Sequence, residues 1–114
     1  YGQIGYHDWE GLSLTLEERE RLAANMDGNR ALIMRNHGFL TVGETAGEAF
    51  MVMHYLIRGC RAMLAATATG LELDPGPTEI WELSKRQYDH FPLGHYEWPA
   101  LMRLCDQLDP GYKL

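Results

Sequence analysis

The chain is short of basic residues, of cysteine and of long apolar runs, and each shortage removes a class of function. In 114 residues, 10 Lys and Arg face 16 Asp and Glu, a formal net charge of −6 with no dense basic stretch. Nucleic-acid binding draws on counterion release by a basic surface, so nucleic acid is not an expected partner. The only cysteines, Cys60 and Cys105, lie far apart and in no Cys-x-x-Cys pattern. A disulfide is compatible with that spacing, but two buried thiols at apolar helix positions are the favoured reading. No apolar run approaches the ~20 residues a membrane-spanning helix needs, and no basic-then-apolar signal opens the sequence. A soluble, cytoplasmic protein with no membrane partner is expected. Motifs of hydrolases and phosphate binders are missing as well. Ser13 and Ser84 lack the Gly-x-Ser-x-Gly elbow, and "GETAG" lacks the lysine of a phosphate loop.

What is present is an ordinary globular composition, 46% hydrophobic and 23% charged, on a length that suits one domain with a modest core. A short strand is expected near Gln3–Tyr6. A helix follows from Thr15 to Met26, with Thr15 as its cap, Glu17 and Glu18 in the positive first turn and Gly28 at its end. "ALIMR" and "GFLTVG" read as two strands joined at "NH", where Asn and Gly permit a tight reversal and place His37 at the tip. From Glu44 to Thr69 nothing stops a helix. Phe50, Met53, Leu56, Ile57, Cys60, Met63 and Leu64 recur at three- and four-residue steps as one apolar stripe. A helix of ~26 residues spans ~39 Å, long for a domain of this size. It either meets another half-domain or subunit, or is a core helix covered by its own chain; both readings stand. "GLELDPGPT" is a connector, "EIWELSKRQYDHF" a third helix, and a last helix begins near Pro99. The order β–α–β–β–α–α–α holds too few strands for a complete doubly wound sheet, and looks like part of one.

The side chains offer few chemical constellations. His7, His37, His54, His90 and His95 contain no His-x-His, His-x-x-x-His or His-Glu-x-x-His pair, so spacing alone gives little for a metal. His54 reads as a core or interface imidazole, His90 and His95 as surface or helix-end residues, and His7 in "YHDW" as a solvated loop residue. Trp9, Trp81 and Trp98 read as packing anchors, and the acids Glu17, Glu18 and Glu79 as solvated helix charges.

The run "ALIMRNHGFLTVGETAGEAFMVMHYLIRGCRAML" resembles the later half of the class II aldolase/adducin family: a strand, Asn-His-Gly, a strand ending in Val-Gly-Glu, then a long helix with Glu-Ala-Phe and a Cys near its middle. The flanks "YHDWEGLSLTLEERERLAANM" and "WPALMRLCDQLDPGY" are similar to the same family's, the latter to its adducin-like bacterial branch. The resemblance implies an α/β fold, α+β within this stretch, with few strands followed by long helices as part of a three-layer α/β/α domain. Residues 1–114 would form a single partial domain, the later half of the family's head domain. In the family's enzymes a zinc ion orients a ketose or keto-acid carbonyl and stabilises the enediolate formed when a C–C bond breaks. The histidine of Asn-His-Gly is a zinc ligand, and it maps onto His37. The upstream His-x-His pair, the acid/base residue and the substrate-phosphate loops have no counterpart here, so no catalytic residue is assigned and the stretch alone is expected to be inactive. Two functions follow. One is the carboxyl-terminal part of a zinc-dependent aldehyde-lyase acting on a small sugar or keto substrate, phosphorylated or not. The other is a non-catalytic, adducin-like oligomerisation or binding module. Family enzymes are homo-oligomers, and the same is expected here.

Overall fold

Residues 2–12 and 16–113 are described in a computed structural model. Short, largely apolar segments between turn residues give three strands: β1 (Ile4–His7), β2 (Ala31–Met34) and β3 (Gly38–Thr41). They form one sheet in the order β1-β2-β3. β1 runs parallel to β2, with Gly5 opposite Leu32 and His7 opposite Met34, and β2 runs antiparallel to β3. A parallel pair needs a crossover, which α1 (Leu16–Met26) supplies. The capping role read at Thr15, like Ser13, lies outside the described residues. The hairpin between β2 and β3 turns where expected, and its left-handed residue is Asn36, at φ 56°.

Strand alternation sends Gly5, His7, Leu32 and Met34 to one face and Ile4, Tyr6, Ala31 and Ile33 to the other. α1 covers the first face. It lies so close that a Cβ on Gly5 would fall 2.3 Å from the Asn25 carbonyl oxygen. α2 (Ala46–Thr67) covers the second, its Ala49 carbonyl accepting a hydrogen bond from Thr41 Oγ1 at 2.9 Å. Helix, sheet and helix make the three-layer α/β/α arrangement, with Leu32 fully buried at its centre and Ala31, Met51 and Leu56 around it. α3 (Thr78–Asp89), α4 (Glu97–Leu108) and a terminal 3₁₀ turn (Pro110–Lys113) follow. Pro99 lies in the first turn of α4, where a missing N–H costs nothing.

The long helix starts with a cap. Thr45 accepts a hydrogen bond from the Glu48 N–H at 3.1 Å, and the Glu48 carboxylate turns back onto the Glu44 N–H at 2.7 Å. Its 22 residues extend ~33 Å, against ~13 Å for strands of four. The helix is therefore much longer than the strands it packs against. Of the expected stripe, Leu56 is buried and Met53, Ile57 and Cys60 are half-buried. Phe50 instead leans edge-on against Trp98 of α4, and Met63 and Leu64, in the C-terminal half of the helix, are exposed. The helix is not covered on all sides by the described residues.

Other sequence expectations change for the same reason, a core too small to reach them. Cys60 is half-buried and Cys105 exposed, and both are free thiols. Trp9 is exposed rather than an anchor, whereas Trp98 packs on Gly47. The radius of gyration is 16.8 Å, above the ~13 Å typical of a compact chain this long. Accessible surface is 8774 Å², against roughly 6300 Å² for a compact protein of this mass. No described helix is long and apolar enough to cross a membrane.

Candidate functional site

His37 stands at the tip of the β2–β3 hairpin. Its N–H donates to the Met34 carbonyl at 3.1 Å, closing the turn, and Asn36 before it adopts the left-handed conformation that the reversal requires. The residue is exposed, and its ring makes no hydrogen bond among the described residues. An imidazole held this way is a donor without a competing partner, the state a metal ligand needs before binding.

The base of the hairpin is held by β1. Arg35 donates its N–H to the His7 carbonyl at 2.9 Å, its guanidinium pairs with Asp8, and it lies 5.5 Å from the centre of the Tyr6 ring. These residues flank the same end of the sheet as His37. His7 itself is 3% exposed, not the solvated loop residue that "YHDW" suggested. Alternation along β1 explains the difference: Gly5 and His7 share the face under α1, and the missing side chain of Gly5 lets α1 approach. The Asn25 amide nitrogen lies 2.8 Å from His7 Nδ1. With that nitrogen donating, Nδ1 accepts and the proton of the neutral ring sits on Nε2. Nε2 is buried without a hydrogen bond, facing carboxylate oxygens of Glu10 at 3.8 Å and Glu18 at 4.0 Å. Glu10 in turn accepts from Arg21, and that bond holds its carboxyl below the usual carboxylate range.

The remaining histidines go elsewhere. His54 is exposed on α2, edge-on to Tyr55. His90 caps the end of α3 and His95 packs edge-on to Tyr96, and both line an open cleft of about 560 Å³ at the start of α2, with Arg30, Glu48 and Trp98. That cleft lies by the first residue of β2, at the opposite end of the strand from the hairpin tip. Among the described residues no three His, Cys, Asp or Glu side chains gather where they could hold a metal ion. His37 therefore has no complete set of metal-binding side chains around it among the described residues. Arg35 and buried His7 were not read as site residues from the sequence. The signal for them was the alternation Gly5-Tyr6-His7-Asp8, one residue beyond the strand end that was expected.

A family model for the class II aldolase and adducin N-terminal domain matches residues 1–64. A protein of Caulobacter vibrioides named for class 2 aldolases is 36% identical over 113 residues, which are 96% of this chain and 44% of that protein. Alpha-adducin of Rattus norvegicus is 31% identical over 127 residues, covering 98% of this chain and 17% of the adducin. A crystal structure of an aldolase II superfamily protein from Pseudomonas syringae superposes with a TM-score of 0.81 at 36% identity, over 93% of this chain and 43% of that one. The chain thus spans less than half the length of these relatives. Since the family model covers more than half of its residues and the fold agrees with a solved member, the chain belongs to the class II aldolase and adducin family.

Proposed function

We propose that residues 1–114 are the later part of one class II aldolase-type domain, and that the complete protein is a zinc-dependent lyase. Its substrate is a small sugar or keto compound, phosphorylated or not, in which a C–C bond is cleaved. One observation carries this reading. The ring of His37 is exposed, unbonded among the described residues, and presented on a closed turn within Asn-His-Gly. When bound, zinc would polarise a carbonyl as a Lewis acid, and the part of this chain is to hold one ligand in place. The remaining ligands come from outside the stretch, so the stretch alone is inactive. The complete protein is cytoplasmic and homo-oligomeric. The largely exposed C-terminal half of α2, with Met63 and Leu64, supports association with other copies.

A non-catalytic, adducin-like module is the second reading, favoured by the 31% identity to alpha-adducin across nearly the whole chain. Elemental analysis of the complete protein beside its His37→Ala variant separates the two. Near-stoichiometric zinc that disappears in the variant supports the lyase, and assays for C–C cleavage follow. Metal-free protein in both cases, with a multimeric mass by light scattering, selects the module.

A further inference from the structure

We propose that Arg35 is a positioning residue for His37, and that the Tyr6-His7-Asp8 segment, the end of β1 and the residue after it, is the cradle that holds it. The inference rests on the reading of His37 as a ligand for a divalent cation. It comes from asking what fixes the imidazole in space.

The side chain of His37 has no hydrogen-bond partner among the described residues, and its neighbour Gly38 has no side chain. The position of the ring is therefore inherited from the backbone of a three-residue turn. That turn has a single internal tie, the His37 N–H to the Met34 carbonyl. Arg35 is the turn residue with an outside grip. Its N–H is bonded to the His7 carbonyl, its guanidinium pairs with the Asp8 carboxylate, and the same guanidinium lies over the Tyr6 ring. Strand alternation puts Tyr6 and Asp8 on one face, so both can reach one side chain, while His7 turns inward. The inward ring is tied to Asn25 on α1 and is buried. The cradle is thus anchored in the core although its outer pair is exposed. An exposed ion pair alone would fix little. Here it acts with a backbone bond and a ring contact on one residue, two positions before the ligand.

The test uses the complete protein, as wild type, Arg35→Leu, Arg35→Lys, Asp8→Asn and His37→Ala. Cobalt(II) replaces zinc as the probe, since its visible absorption reports ligand geometry. Arg35→Leu is expected to weaken cobalt affinity about tenfold, the lower end of the effect of residues behind a ligand, and to shift the visible band. Its melting temperature should change little, and Arg35→Lys should recover most of the affinity. Asp8→Asn, a milder change on the partner, should move affinity and band in the same direction. Unchanged affinity and band in Arg35→Leu and Asp8→Asn, while His37→Ala abolishes binding, overturns the positioning role. Intact binding in His37→Ala defeats the ligand reading instead. The cradle is then judged by amide exchange: faster exchange at His37 in Arg35→Leu upholds the grip, and unchanged exchange removes it.

Discussion

Gly94 and Gly47 meet backbone to backbone: a Cβ on Gly94 would lie 2.4 Å from the Gly47 carbonyl carbon and 2.6 Å from the Glu48 nitrogen. This contact seats the loop before α4 on the capped start of α2. Gly94 also sits at φ 83°, which L side chains rarely adopt. Gly94→Ala should therefore cost about 1–3 kcal/mol by overpacking, with backbone strain added. Urea denaturation measures it, and a cost near zero would show that α4 can lift away without loss.

Among the described residues Leu32 is the one large side chain that is completely buried, on the sheet face beneath α1. Leu32→Ala should destabilise by about 2–5 kcal/mol. The lower end is expected, because a core this small can close around the gap. A cost below that range would mean the layers are not packed through Leu32.

Thr45 caps α2, and α2 is the largest element on the sheet. Thr45→Ala leaves the Glu48 N–H without its acceptor and should cost about 1 kcal/mol. Thr45→Ser keeps the acceptor and should cost much less. Equal losses in the two variants would argue that the methyl group, not the oxygen, matters.

The Glu10–Arg21 pair sets a pH response. Arg21 lowers the Glu10 carboxyl below its ordinary value of 4.5 in the folded state. The folded state thus holds the Glu10 proton less tightly than the unfolded chain. The stabilisation is fully present above pH 4.5 and is lost as the pH falls below it through the folded value. Arg21→Ala should bring the Glu10 titration back up toward 4.5, read by carbon-13 NMR of its carboxyl group. An unmoved midpoint would mean that the pair does not persist in solution.

The hairpin was legible in the sequence because its signal is local. Two apolar runs around Asn36-His37-Gly38 leave the backbone few alternatives, and the turn forms with Asn36 left-handed. The helices were legible for a similar reason, in periodicity and breakers. Burial was not, because it depends on what lies across the layer. Trp9, Phe50, Met63 and Cys105 belong to types that are usually inside, yet the described sheet is too short to cover them. His7 erred in the opposite direction: a polar residue beside Asp8 looked solvated, and only the pairing of β1 with β2 shows which face it takes. His37 could be singled out through its motif, while the pair that grips its turn, Arg35 with Asp8, joins residues 27 positions apart.

β1 has β2 on one side, and among the described strands none on the other. Its outer amides and carbonyls form a ready template, with Ile4 and Tyr6 exposed beside them. Whatever normally covers that edge is a condition for handling this stretch as a separate polypeptide. Without it, strand addition between copies competes with native assembly, and aggregation on expression would be the first sign.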